Sequence, residues 1–128
     1  MKKVWFLLVL LSGYFGFSQV KTEPITEYSS NEVKNGVLLD VRTPEEFQQG
    51  HLDHAVNINW YDTDFAKQTQ NLDKEKPVYV YCKLGGRSAK AAKALDSLGF
   101  KNVVDLTGGY DAFKAAKEKR KWPDTTPK

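Results

Sequence analysis

The sequence predicts a single α/β domain with a mainly parallel central sheet and helices on both faces. Short apolar segments rich in valine and tyrosine alternate with longer segments whose apolar residues recur at helical spacing. This alternation is typical of parallel sheets with crossover helices. The chain has 128 residues, which is enough for one domain with a small core.

Residues 1–18 differ from the rest and predict a secretory signal peptide. Lys2 and Lys3 precede a short apolar run, and small residues follow it. The run is too short for a transmembrane helix, which needs about 20 apolar residues. We expect cleavage near Ser18, export to the periplasm or outside the cell, and no stable membrane insertion afterwards. An uncleaved N-terminal anchor is the alternative.

The remaining elements can be placed from local patterns. Residues 19–29 are polar and predict a leader that contributes at most an edge segment. Thr43 and Glu46 form a capping-box pattern with Pro44 between them, which predicts a short helix that stops at Gly50. Strands are expected at residues 36–41, 54–59, 76–82 and 102–106, further helices at 61–72, 87–100 and 109–120, a domain over 30–118 and a polar tail over 119–128.

Cys82 is the only cysteine of the chain, so no internal disulfide can form. A single cysteine in an exported protein indicates intermolecular pairing or a reactive thiol. Together with His51 and His54 it does not give the ligand spacing of a structural zinc site, so we expect no metal. A buried, inert thiol is the alternative.

The segment after Cys82 favours the reactive thiol. Cys82 ends a predicted central strand, and α/β sheets bind ligands beyond the carboxyl ends of their strands. Gly85 and Gly86 allow successive N–H groups to surround one centre, and the following helix adds its free N–H groups and positive dipole end. This arrangement stabilises the negative charge of a thiolate. Arg87 and Lys83 add positive charge near it.

Three stretches resemble the rhodanese-type sulfurtransferases. "VYCKLGGRSAKAA" resembles their active-site loop, "LLDVRTPEEFQQGHLDHAVNI" their upstream signature, and "NVVDLTGGYDAF" their Gly-Gly-helix segment. The three stretches occur in the family's order, and the resemblance implies a rhodanese-like fold. The chain departs from the family at His54, where glycine is frequent, and at Phe113, where tryptophan is frequent.

The resemblance implies that Cys82 takes sulfur from a donor such as thiosulfate and passes it from a persulfide to cyanide or a thiol. The outer sulfur would be bound by the loop residues Lys83, Leu84, Gly85, Gly86 and Ser88. We expect Arg87 to fix the loop or to receive the anionic donor, and Ser88 to cap the helix. Asp40 and Arg42 are expected to form a supporting ion pair, with substrate contact as the alternative.

Rival functions remain open at this point. A cysteine phosphatase has five residues between its cysteine and arginine, whereas this chain has four. A non-catalytic binding module of the same fold would usually have lost the thiol, and a persulfide carrier would pass its sulfur to a partner protein. We expect a monomer with no cofactor, acting on a small sulfur donor and acceptor or on a thiol protein. A net charge of +3 without a groove-reading motif argues against nucleic acid.

Overall fold

The computed structural model describes residues 20–121, and the predicted signal peptide and residues 122–128 lie outside this range. Five strands form one sheet in the order β1-β5-β4-β2-β3, and every described strand pair is parallel. The strands are β1 (Val20–Pro24), β2 (Val37–Asp40), β3 (Val56–Asn57), β4 (Val78–Tyr81) and β5 (Val103–Thr107). The α-helices are α1 (Pro44–Gln48), α2 (Phe65–Gln68), α3 (Gly86–Ser97) and α4 (Gly109–Lys121), and 3-10 turns cover Ile25–Glu27, Ser30–Val33 and Thr69–Asn71.

Two apolar cores lie on the two faces of the sheet, which confirms the predicted helices on both sides. Successive side chains of a strand point to opposite faces. In β4 the side chains of Val78 and Val80 therefore join the core under α3, while Tyr81 joins the core under α4. Cys82 continues the alternation of Val78 and Val80 and lies in the α3 core. The pleat thus decides which helix faces the thiol.

The folded region extends beyond the predicted boundaries of 30–118 at both ends. In the predicted leader, β1 pairs with β5 from Val20 opposite Val103 to Pro24 opposite Thr107. The 3-10 turn that follows β1 buries Ile25 completely. At the other end, α4 runs to Lys121, where its basic last turn complements the negative end of the helix dipole.

Local patterns predicted α1 accurately, but they predicted the next strand and helix to be longer than they are. The capping box of α1 is confirmed, with the Glu46 N–H donating to Thr43 Oγ1 at 3.3 Å. The predicted strand 54–59 shrinks to the two residues of β3. The Asn57 side chain adds hydrogen bonds to the carbonyls of Asp40 and Arg42 at 3.0 and 2.9 Å. The predicted helix 61–72 is one α-helical turn followed by a 3-10 turn.

His54 has a φ of 68°, in the left-handed region that favours glycine. It precedes β3, at the position where the resemblance leads one to expect glycine. The left-handed conformation costs a residue with a Cβ about 1–2 kcal/mol, and glycine avoids most of this cost.

We predict that His54→Gly raises the free energy of unfolding by about 0.5–1 kcal/mol, since the gain in backbone conformation exceeds the entropy that glycine loses on folding. Urea denaturation measures the change. His54→Ala is the matched control, because it removes the imidazole but keeps the Cβ, and it should bring no gain. A His54→Gly midpoint at or below that of the wild type contradicts the prediction.

Candidate active site

The sulfur of Cys82 lies directly beyond the carboxyl end of β4, and the residue is only 1% exposed. The Gly85 N–H donates to Sγ at 3.0 Å. On the other side the Cys82 thiol donates to Ser88 Oγ at 3.6 Å. Gly85 reaches this position with a φ of 119°, which residues with a Cβ rarely adopt. The turn from β4 into α3 is therefore folded around the sulfur.

Ser88 does not cap α3, so that prediction is wrong. The left-handed Gly85 is the N-cap, and the helix begins at Gly86, one residue earlier than predicted. Ser88 is consequently the third helical residue, and its hydroxyl donates to the Gly85 carbonyl at 3.1 Å. The first-turn N–H groups of Gly86, Arg87 and Ser88 have no partner within the helix itself. These N–H groups lie at the N-terminal end of α3, where the Cys82 sulfur also lies.

Arg87 is engaged by a carboxylate and holds α3 against α1. Its Nη1 and Nη2 donate to the two carboxyl oxygens of Glu46 at 2.6 and 3.0 Å. This bidentate hydrogen bonding, assisted by Thr43, lowers the pKa of Glu46 to about 2 and raises the pKa of Arg87. The guanidinium also lies 5.5 Å from the centre of the Tyr61 ring. Of the two predicted roles of Arg87, this geometry favours fixing the loop.

Glu46 was predicted only as a capping residue, so its contact with Arg87 was missed. The two residues are 41 positions apart, and no spacing rule connects them. The capping role is also present, because the Thr43 N–H donates to Glu46 Oε1 at 3.2 Å. One carboxylate therefore caps α1 and anchors the start of α3.

Asp40 and Arg42 form the predicted ion pair, and both are buried. Burial disfavours the charge of Arg42, but its hydrogen bonds to Asp40 outweigh this effect and raise its pKa. Arg42 Nη2 also donates to the Gly50 carbonyl at 2.7 Å, and the guanidinium lies 4.5 Å from the centre of the Tyr110 ring. The pair thus fixes the loop after α1. Arg42 also borders a cavity of about 130 Å³ that Lys83 lines as well.

Lys83 and Leu84 lie on the outer side of the turn, where α4 contacts it. Lys83 Nζ pairs with Asp111 at 3.1 Å, so its charge is shared with a carboxylate. The Tyr110 N–H donates to the Cys82 carbonyl at 2.8 Å. Gly109 packs so closely against the Lys83 carbonyl that a Cβ would overlap it. Leu84 is 70% exposed.

Asp105 is a candidate site residue that the sequence did not reveal. It lies in the middle of β5, is 5% exposed, and its Oδ1 is the one buried side-chain polar atom without a hydrogen-bond partner among residues 20–121. Burial raises the pKa of its carboxyl, and the neighbouring Ser88 hydroxyl acts in the opposite direction. A charged residue within the predicted strand 102–106 was the available signal.

The rest of the described chain offers no competing metal centre. No group of three or more potential ligands that could hold a metal ion occurs within residues 20–121.

A cavity of about 520 Å³ is lined by Tyr28, Leu38 and His54 among others, and no residue of the Cys82 turn contributes to it. Within residues 20–121, no helix is long and apolar enough to cross a membrane.

Comparison with known proteins identifies the family. A family model described as the rhodanese-like domain matches residues 26–116. The chain belongs to the rhodanese-like family. Its solved structural relatives include a rhodanese-related protein from Thermoplasma volcanium, with a TM-score of 0.65 and 28% identity over 74% of this chain and 91% of that one. They also include Bacillus anthracis CoADR-RHD, with a TM-score of 0.68 and 28% identity. That match covers 79% of this chain but only 18% of the Bacillus protein.

Curated relatives of this rhodanese-like domain include named sulfurtransferases. The chain is 39% identical over 85 residues to thiosulfate sulfurtransferase 16 of Arabidopsis thaliana, covering 59% of this chain and 71% of that protein. It is 38% identical over 87 residues to an adenylyltransferase and sulfurtransferase of Candida albicans. That match covers 62% of this chain but only 20% of the Candida protein.

The ion pair between Glu46 and Arg87 makes stability depend on pH. Because the pKa of Glu46 is lowered from 4.5 to about 2 in the folded state, its contribution is complete above about pH 4.5 and is lost as the pH falls toward 2. We predict that Glu46→Gln lowers the free energy of unfolding by about 1 kcal/mol at pH 7. The difference from the wild type should shrink below pH 4.5, as measured by urea denaturation at several pH values.

Glu45→Gln is the matched control, since Glu45 is adjacent, exposed and in no ion pair of the described residues. It should leave stability nearly unchanged at every pH. A Glu46→Gln difference that stays constant down to pH 2 contradicts the assigned coupling.

Proposed function

We propose that this chain is a rhodanese-type sulfurtransferase that carries sulfane sulfur as a persulfide on Cys82. The observation that carries the proposal is the Gly85 N–H donating to Cys82 Sγ at the start of α3. Backbone donors fixed before the reaction stabilise a charge that develops on sulfur better than mobile water does. The named thiosulfate sulfurtransferases among its relatives support the same chemistry.

The reaction consists of two displacements at sulfur. The Cys82 thiolate attacks the outer sulfur of thiosulfate, a new S–S bond forms, and sulfite leaves with the electron pair of the broken bond. An acceptor such as cyanide then attacks the outer sulfur and regenerates the thiolate. The first-turn N–H groups of Gly86, Arg87 and Ser88 are the donors within the turn for the negative outer sulfur.

A cysteine phosphatase fits the turn less well. Four residues separate Cys82 from Arg87, and the guanidinium of Arg87 is already held by Glu46. A bound phosphate would need a wider ring of N–H groups and a free bidentate donor. A single additional sulfur needs neither.

A persulfide carrier for a protein partner is the second candidate, and the surface around the sulfur favours it. Cys82 is almost fully buried, while Leu84 and Tyr61 are 70% and 65% exposed beside it. Aromatic side chains are enriched at protein interfaces, and Leu84 and Tyr61 would give a partner protein apolar surface to cover. The same persulfide chemistry would then deliver sulfur to a protein thiol.

We predict that thiosulfate treatment adds one sulfur atom to the protein and releases one sulfite. Mass spectrometry of the intact protein measures the uptake, and Cys82→Ser is the control that should gain nothing. Cyanide should then remove the sulfur as thiocyanate, whereas faster transfer to a reduced dithiol protein would identify a carrier. Absence of added sulfur on the wild type, or turnover of an aryl phosphate instead, refutes the proposal.

We further propose that the protein acts outside the cytoplasm, on the basis of the basic and apolar pattern of residues 1–18. The expected mature protein begins near residue 19. Intact mass and N-terminal sequencing of the protein from a periplasmic or secreted fraction check this. Recovery of the full-length chain from the cytoplasm alone would rule export out.

A further inference from the structure

The carboxyl of Asp105 is buried at a cost that the fold itself does not explain. A buried polar atom without a hydrogen bond destabilises the folded state, because it has lost water and gained no partner. Asp105 Oδ1 is in this situation. Its neighbours in β5, Val104 and Leu106, are apolar core residues on the opposite face. Asp105 lies opposite Val80, in the apolar core that also contains Val103, so packing alone favours an apolar residue at position 105.

Asp105 is connected to the Cys82 sulfur through Ser88. In the sheet it lies opposite Val80 of β4 and Thr22 of β1. From α3 the polar group beside it is Ser88, which acts on its pKa, and Ser88 in turn contacts Cys82 Sγ. Cys82 follows Val80 by two residues and lies on the same face of β4.

The charged side chains in the first two turns of α3 are bound by a partner or exposed to solvent. Arg87 is bound by Glu46, and Lys90 is exposed on α3. Burial dominates at Asp105 and raises the pKa of the carboxyl, because no charged partner offsets the loss of water. The protonated form is thereby favoured.

We propose that Asp105 is a positioning residue that directs the Ser88 hydroxyl toward the Cys82 sulfur, and that it does so only while its carboxyl is protonated. This role rests on the persulfide chemistry proposed above. In the present structure the Ser88 hydroxyl donates to the Gly85 carbonyl, and Asp105 Oδ1 has no hydrogen-bond partner. In the proposed rearrangement, the Ser88 hydroxyl and the Asp105 carboxyl change their hydrogen-bond partners.

The exchange rearranges hydrogen bonds and breaks no covalent bond. The protonated carboxyl donates its O–H to Ser88 Oγ, and the Ser88 O–H turns from the Gly85 carbonyl to the anionic persulfide. When Asp105 is ionised its carboxylate accepts a hydrogen bond from the Ser88 O–H instead, so the hydroxyl is no longer available to sulfur. Its negative charge also opposes the charge on sulfur in a medium of low dielectric constant.

The test compares the rate of sulfite release from thiosulfate in a single turnover, as a function of pH, in the wild type and two variants. Asp105→Asn keeps a donor to Ser88 that cannot ionise, so it should match the wild-type rate at low pH and lack the wild-type decrease at high pH. Asp105→Leu removes the donor and should slow release roughly threefold to tenfold, the effect of one hydrogen bond to a charged group.

Stability separates this role from a structural one. Asp105→Leu removes an unpaired buried carboxyl, so its urea midpoint should equal or exceed that of the wild type while its rate falls. Ser88→Ala should slow release to a similar extent, and the double variant should be no slower than either single variant, because both act through one hydroxyl.

Three outcomes would overturn the proposal. They are a wild-type rate in Asp105→Leu, the same pH profile in Asp105→Asn as in the wild type, and additive losses in the double variant. If Asp105→Leu does not fold, the Asp105→Asn profile decides. Normal sulfur uptake in the wild type with unchanged variants refutes the role of Asp105 alone, whereas no uptake in the wild type refutes the persulfide function and this role together.

Discussion

The turn from β4 into α3 has to surround a buried sulfur atom with hydrogen-bond donors, and the neighbouring structure is arranged to make this possible. The pleat of β4 directs the thiol under α3. Gly85, in the left-handed region, turns the chain so that its N–H reaches the sulfur and the helix begins at the next residue. The backbone of α4 holds the turn from outside through the Cys82 carbonyl. Displacing any of these contacts would move the Gly85 N–H away from the sulfur.

The cations near the sulfur are each neutralised by a carboxylate. Arg87 pairs with Glu46, Arg42 with Asp40, and Lys83 with Asp111. A negative charge on sulfur is consequently stabilised chiefly by backbone dipoles and by the end of α3, with little contribution from free positive charge. Such an environment suits a singly charged persulfide, whereas a phosphate dianion would require at least one arginine to leave its partner. Under the proposed persulfide function, the ion pairs act against phosphate binding and also fix the position of the turn.

The sequence predicted those parts of the molecule that depend on neighbouring residues. The capping box of α1, the position of Cys82 at the end of β4 and the glycine-rich turn are all local patterns, and so is the ion pair of Asp40 with Arg42. The contacts of Glu46 with Arg87 and of Asp105 with Ser88 join distant segments, and no periodicity encodes them. The error at Ser88 has a related cause, because the exact start of α3 depends on the backbone angles of Gly85, which sequence letters do not specify.

Phe113, where the chain departs from the family, contacts the Cys82 turn indirectly, through Tyr110. The Phe113 ring stacks on Tyr110 with 6.2 Å between ring centres, and the Tyr110 ring lies over the Arg42 guanidinium. The backbone of Tyr110 donates to the Cys82 carbonyl. A smaller aromatic side chain at position 113 thus changes the packing of the residue that supports both the buried ion pair and the turn. The hydrogen bond to the Cys82 carbonyl comes from the backbone N–H of Tyr110. A change of side-chain packing at position 113 therefore affects this bond only if α4 itself shifts.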